Sequence, residues 1–256
     1  MKRAVITGAS SGIGLALARE LSQRGYAVAL LARRGDLLDQ LAKELPHTVA
    51  IVCDVTDRES VERSVRQAEE SLGGGFEVAV ANAGVGIPTW AAEFNTEDAD
   101  RVIRVNLLGM IYLFGAVIPG MVERRAGRFA GIASIAGLRG LPSASAYSAS
   151  KAGMQAFLEA SRVELAPFGV AVTIVNPGFI QTAMVEKYRS RLPFLMQVGP
   201  AARKIADGIE GGQREVEFPF PMSMAMRTAR LLPNALYDRL LRPYGQRRID
   251  RTKVRR

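Results

Sequence analysis

The sequence predicts an α/β chain: a doubly wound parallel sheet of about seven strands, helices on both faces, and a short helical extension at the C-terminus. Three observations predict it. Short apolar runs alternate with segments of helical periodicity along most of the chain. A glycine-rich turn joins the first run to the first helix. Several runs end on turn-forming residues, Asn82-Ala83-Gly84 and Asn176-Pro177-Gly178 among them. The 256 residues fit one such domain, 1–256, with enough chain to bury a sizeable core.

The opening segment reads strand, turn, helix, strand. Val5 and Ile6 lie in a short buried strand, and Leu15, Leu17, Ala18 and Leu21 recur at helical spacing until Gly25 stops the helix. Residues 26–31 form the second strand, completing a βαβ unit of the dinucleotide-binding type. The turn, TGASSGIG from Thr7 to Gly14, carries Gly8, Gly12 and Gly14. Glycines there let the backbone approach a pyrophosphate, whose charge sits near the N–H groups of the following helix.

The second strand ends in Ala32-Arg33-Arg34. An acidic residue at this place would accept from ribose hydroxyls and select NAD. Two guanidiniums instead suit a phosphate, through the planar fork of arginine. The expected cofactor is therefore NADP(H), with Arg33 the first contact to its 2′-phosphate and Arg34 the second; the alternative is that both are solvated surface arginines. A helix is expected over 36–45, a strand over 48–53, a helix over 58–72 stopped by Gly73-Gly74-Gly75, and a strand over 77–81. Asp54-Val55 follows the third strand, where Asp54 could also cap the helix that starts near Asp57. A loop over 86–95 holds Trp90, which either lines a pocket or, the favoured reading, packs at the surface.

A long helix begins near Thr96 and carries Asn106 among apolar neighbours, where a buried amide needs partners. The run RFAGIAS predicts the fifth strand, 170–175 the sixth, and 215–218 the last, with a helix over 201–211 before it. Between the fifth and sixth strands lies SIAGLRGLPSASAYSASK, in which Tyr147 and Lys151 share a helix face at i and i+4. A cation beside a phenol favours the phenolate, so Lys151 is expected to bring Tyr147 closer to neutral pH than the ordinary value near 10. Ser134, thirteen positions upstream of Tyr147 at a strand end, could face that helix. The three would hold a carbonyl or an alcohol and move its proton.

With this triplet, the chain resembles the short-chain dehydrogenase/reductase family over roughly residues 3–220. TGASSGIG, Asn82-Ala83-Gly84, Asn106, the Ser134, Tyr147 and Lys151 spacing, and Pro177-Gly178 occur in the order that family shows. The resemblance implies a Rossmann-like sheet and a catalytic set of Asn106, Ser134, Tyr147 and Lys151. It implies cofactor contacts from Gly8, Ser10, Ser11, Gly12, Ile13 and Gly14 in the turn. Asp54 and Val55 would border the adenine, and Asn82, Ala83 and Gly84 would steady the sheet and leave room for a ribose. Lys151 would bind the nicotinamide ribose, and Pro177, Gly178 and Thr182 would surround the nicotinamide. Asn106 would hold a water relaying protons to Lys151, or it makes a structural hydrogen bond to backbone. Ser11 stands where some NADP-preferring relatives carry a basic residue, so one indicator of NADP is missing.

Residues 183–199 are expected to form a substrate lid, apolar through Met184, Tyr188, Leu192, Phe194, Leu195 and Met196, which suggests an apolar or lipid-like substrate. The 219–256 extension goes beyond the common core. Ten basic residues against two acidic ones give +8 over 222–256, which leaves +1 of the net +9 for the other 221 residues. Pro233 divides the extension into two short helices, which form a pocket flap or dimer contact, or else a peripheral membrane contact; the first is favoured. No aromatic interleaving supports nucleic-acid binding by the tail. Relatives suggest a homo-oligomer, dimer or tetramer.

No apolar run is expected to reach the roughly 18–20 residues of a membrane span. The start reads as a strand rather than a signal peptide, and the single cysteine, Cys53, as a buried thiol, so a cytoplasmic location is the expectation. The lone histidine, His47, has no metal-ligand set around it, and no metal is expected. The composite reading is an NADP(H)-dependent oxidoreductase acting on a small-molecule carbonyl/alcohol pair. Two other classes stay open: an NADP-binding regulator, and a membrane-surface protein acting through its tail.

Overall fold

A computed structural model describes residues 1–186 and 192–245; Tyr188 of the expected lid and the basic tail 246–256 lie outside the described residues. The sheet is built from β1 (Lys2–Thr7), β2 (Tyr26–Ala32), β3 (Thr48–Val52), β4 (Val78–Ala81), β5 (Gly127–Ile132), β6 (Val170–Pro177) and β7 (Glu215–Phe218). Their order is β3-β2-β1-β4-β5-β6-β7, and every pairing is parallel. All carboxyl ends therefore open on one edge. The order reverses between β1 and β4, where ligands bind in sheets of this kind.

The helices are α1 (Gly12–Gln23), α2 (Gly35–Glu44), α3 (Arg58–Leu72), α4 (Thr96–Ile103), α5 (Gly109–Glu123), α6 (Ser145–Leu165), α7 (Val198–Glu210), α8 (Phe220–Leu231) and α9 (Asn234–Gly245). Side chains alternate across a strand, so neighbours on β1 enter different cores. Val5 joins Val65, Leu113, Phe129 and Leu158 beside α3, α5 and α6. Ile6 joins Leu17, Leu21, Leu38 and Ile205 beside α1, α2 and α7. Two buried layers follow, one on each face, which is why the strands read as continuous apolar runs.

Local signals set the ends. Asp57 caps α3 by accepting from Glu59 N at 3.0 Å, and Gly73 closes it with φ +73°. Asn95 accepts from Glu97 and Asp98 N at 2.9 and 3.2 Å to start α4. A π-helical turn, Arg104–Leu108, joins α4 to α5. The sequence expectation on apolar runs is corrected here: Thr96–Glu123 is one helix, long and apolar enough by length and composition to cross a membrane. Its apolarity has a packing cause. Val102, Met110, Leu113 and Val117 are buried, and Phe114 meets Phe129 and Phe157 edge-on at 5.1 and 5.0 Å.

The two ends of the expected lid are pinned. Gln181 N donates to Met196 O at 2.9 Å and Met196 N to Phe179 O at 3.0 Å. The helix after it starts at Val198 rather than 201, so residues 198–199 belong to α7 and not to the lid.

Candidate active site

The turn after β1 is shaped by contacts that a side chain would destroy. Gly8 and Gly12 have φ +67° and +58°. A Cβ on Gly8 would come within 2.8 Å of Ala83 Cα, and one on Gly14 would overlap Asn82 Nδ2 and the Gly8 carbonyl oxygen. Asn82 fills the gap between β1 and β4, its Nδ2 donating to Thr7 O at 2.9 Å and Gly8 O at 3.2 Å. Thr7 Oγ1 accepts from Asn82 N and Ala83 N at 3.1 and 3.2 Å. The turn therefore rests on the end of β4 at the switch point of the sheet. Ser11 precedes α1 and makes no side-chain cap, and no acidic residue occupies the first turn. With those N–H groups uncapped by a side chain, the cradle fits a pyrophosphate. Ile13 is half-buried in that first turn. A Cβ on Gly12 would lie 3.2 Å from Thr182 Cγ2, so Thr182 lies over the turn.

Arg33 and Arg34 leave β2 exposed, and they diverge. Arg34, not Arg33, is fastened to the turn: its Nη2 donates to Ser10 Oγ at 2.9 Å and Ser11 Oγ at 2.8 Å. Arg33 acts on Asp54. Burial alone would raise the Asp54 carboxyl, but the Thr56 amide and hydroxyl at 2.9 and 2.8 Å and the Arg33 charge together hold it below its ordinary value. The alternative that Asp54 caps α3 is corrected, since Asp57 does so and Asp54 closes a turn with Thr56. Val55 is buried against the start of α5, where a Cβ on Gly109 would lie 2.9 Å from it.

Across the cleft, Ser134 follows β5 and its Oγ accepts from Ala136 N at 3.1 Å. Its hydroxyl points to Pro177 O at 3.4 Å, and it sits near enough to Tyr147 to lower that phenol, so a strand end and a helix face lie together. Lys151, 4% exposed, donates from Nζ to Ile132 O at 2.7 Å and lies 5.7 Å from the centre of the Tyr147 ring. Burial lowers its pKa to about 7. Burial also raises the Tyr147 phenol, and the nearby Ser134 hydroxyl offsets only part of this. The expectation that Lys151 brings Tyr147 toward neutrality is therefore corrected. The two share a face, but desolvation outweighs the cation, whose ammonium is turned to a backbone carbonyl.

Asn106 is wholly buried in the π-helical turn. Its Oδ1 accepts from Val85 N at 2.8 Å, and its Nδ2 donates to Val85 O at 3.0 Å and Ser150 Oγ at 3.1 Å. Of the two sequence readings, the structural bond to backbone is present. Asn106 Oδ1 and Lys151 Nζ converge on Gly84, 3.3 and 3.7 Å from where its Cβ would be. Pro177 is buried at the end of β6, and Gly178 N donates to Phe218 O at 2.7 Å.

Sequence reasoning missed several residues that hold the site. Gln155 Nε2 bridges Ser134 O at 2.9 Å and Asn176 Oδ1 at 2.7 Å, and Thr89 Oγ1 accepts from Ala146 N at 3.1 Å, capping the Tyr147 helix from a distant loop. Nothing local marks them, because their partners lie 21 and 57 positions away. Trp90 is half-buried, neither free at the surface nor enclosed. Among the described residues no three His, Cys, Asp or Glu side chains gather as a metal site.

Comparison with known proteins agrees with this geometry. Residues 2–193 match the model of a family described as short chain dehydrogenase. An uncharacterized oxidoreductase of Myxococcus xanthus is 39% identical over 93% of this chain and 95% of its own length. Among solved structures, actinorhodin polyketide ketoreductase with NADPH is 30% identical with a TM-score of 0.80, covering 87% of this chain and 97% of that one. A 3-ketoacyl-(acyl-carrier-protein) reductase from Brucella melitensis, complexed with NADH, is 26% identical with a TM-score of 0.78 over 84% of this chain and 96% of that one.

Proposed function

The chain belongs to the short chain dehydrogenase family, and from that premise we propose that it is an NADP(H)-dependent oxidoreductase interconverting a ketone or aldehyde and its alcohol, with Tyr147 moving the proton. The observation that carries this reading is the placement of buried Ser134 beside Tyr147, with Lys151 on the same helix face 5.7 Å from the ring centre.

The roles follow from the local chemistry. Ser134 accepts from Ala136 N, and its hydroxyl proton, held only by a long 3.4 Å bond to Pro177 O, would turn to a substrate oxygen. Tyr147, raised by burial, is protonated at neutral pH, the form a general acid needs in the reducing direction. It would give that proton to the substrate oxygen as negative charge develops there. Lys151 would stabilise the phenolate left behind and bind the nicotinamide ribose. Asn106, its own amide satisfied, would support a water relay to Lys151 by position. When bound, the nicotinamide supplies or accepts the hydride.

For the cofactor, Gly8, Ser10, Ser11, Gly12, Ile13 and Gly14 would hold the pyrophosphate. Asp54 and Val55 would border the adenine, Asn82, Ala83 and Gly84 the adjoining ribose, and Pro177, Gly178 and Thr182 the nicotinamide. One solved relative carries NADPH and another NADH, so the relatives leave the choice open. The exposed pair Arg33 and Arg34, with alanine where an acid would select NAD, supports NADP(H). Both solved relatives reduce keto groups by name, which supports a carbonyl substrate.

The test is oxidation of NADPH and NADH over a panel of small, bulky and lipid-like carbonyls. Turnover with NADPH preferred is expected; no turnover on any carbonyl would overturn the activity, and NADH preferred would overturn the cofactor.

A further inference from the structure

The segment from 138 to 144 bridges Ser134 and Tyr147, and it is held from two sides. On one side Thr89 N donates to Ser143 O at 2.9 Å, and Thr89 Oγ1 pairs with Ser145 Oγ at 2.9 Å. On the other side the C-terminal helices grip it. Arg139 Nη1 donates to the carbonyls of Ala229, Arg230 and Leu232 at 2.8, 3.1 and 2.8 Å, and its Nη2 to Asn234 Oδ1 at 2.9 Å. Those carbonyls close α8, where Ala229 O also accepts from Leu232 N at 3.3 Å and a cation is favoured at the helix end. The guanidinium lies 4.0 Å from the centre of the Tyr237 ring, and the Tyr237 hydroxyl donates to Gly140 O. One planar side chain thus satisfies four oxygens and stacks on an aromatic, which an ammonium cannot do.

The first of these helices, α8, is anchored elsewhere around the site. Arg227 pairs with Glu215 at 2.5 Å and Glu217 at 2.9 Å on β7. Met222 Sδ lies 2.9 Å from where a Cβ on Gly178 would be. The extension therefore touches both loops that flank the Ser134 and Tyr147 pair.

We propose that Arg139 and Tyr237 form a clasp through which α8 and α9 fix the 138–144 wall, so that the C-terminal extension sets which carbonyl substrates are accepted. The selectivity rests on the oxidoreductase reading above; the clasp does not. Arg139 is a positioning residue, since its contacts are to the extension and not to reacting atoms. With Met222 reaching the Gly178 loop, the fixed wall suits a substrate whose body is apolar.

The experiment compares the full-length protein with Arg139→Gln, Arg139→Lys and Tyr237→Phe. Amide hydrogen exchange over 138–146 should rise in all three, by about fivefold for the single bond lost in Tyr237→Phe and more for the Arg139 variants, with exchange over 8–14 unchanged. KM for a bulky apolar ketone should rise about tenfold in Arg139→Gln, with kcat and the NADPH Kd within about twofold, and KM for a small ketone should move less. Arg139→Lys should not rescue. Unchanged exchange in 138–146 would overturn the clasp. Raised exchange with an unchanged KM ratio would overturn the selectivity. A wild type that turns over no carbonyl would overturn the oxidoreductase reading and the selectivity with it, while the exchange rates still decide the clasp.

Discussion

Lys151 Nζ donates to the Ile132 carbonyl at 2.7 Å while lying 5.7 Å from the centre of the Tyr147 ring. The lysine that shares a helix face with the tyrosine thus spends its proton on the end of β5. Both groups pay for burial in opposite directions, Lys151 downward to about 7 and Tyr147 upward.

The Lys151 shift has a consequence for stability. Its folded pKa lies below the unfolded value, so between about pH 7 and 10 the unfolded chain binds the extra proton and stability rises with pH. The slope from this group is at most about 1.4 kcal/mol per pH unit. Tyr147, shifted upward, acts in the opposite sense only above its ordinary value near 10. Urea unfolding at pH 7, 8 and 9 should show a steeper rise for wild type than for Lys151→Met; parallel curves would mean that another group carries the slope.

Replacing the Tyr147 phenol with phenyl removes the proposed proton donor beside Ser134 while keeping the ring. Turnover of any accepted carbonyl by Tyr147→Phe should fall by about 10²–10⁴. NADPH binding, followed by fluorescence titration, should stay within about twofold. Retention of most activity would remove Tyr147 from the role.

Reversing the charge at the end of β2 tests the cofactor. Arg33→Asp should lower NADPH affinity relative to NADH by about 10- to 100-fold, the range for a charge-assisted hydrogen bond lost. Arg34→Ala should lower it too, because Arg34 holds Ser10 and Ser11 at the turn. An unchanged NADPH to NADH ratio in both would sink the phosphate assignment.

The turn itself is testable by one methyl group. A Cβ on Gly14 would overlap Asn82 and the Gly8 carbonyl, so Gly14→Ala must push α1 away from β4. Overpacking of this kind costs about 1–3 kcal/mol. Denaturant unfolding should show that loss, together with weakened binding of either dinucleotide; a variant of wild-type stability and affinity would mean that the turn has room to spare.

Strand positions, most helix positions and the phosphate turn were legible because they rest on near-neighbour rules; the strand order came from the tertiary structure. Apolar periodicity set β1 to β7, Gly73 stopped α3, and Pro233 separated α8 from α9 as expected. Whether Asp54 caps α3 could not be settled from spacing; the bond from Glu59 N gives that place to Asp57. The apolar length of the helix Thr96–Glu123 was hard to read because Asn106, three glycines and Pro119 break up its uncharged stretch over 105–122.

The candidate site divides in the same way. From the sequence alone came the residue types and their spacing: the glycines, the arginine pair, and Tyr147 one helical turn before Lys151. Only the tertiary structure decided what those groups face. It turned Lys151 to Ile132, fastened Arg34 to the turn, gave Asn106 to Val85 and Ser150, and set Arg139 beneath Tyr237. The physical reason is range. Helix periodicity and turn chemistry act over a few residues, whereas burial and hydrogen-bond partners depend on segments brought together by the packed sheet, 95 positions apart for Arg139 and Asn234.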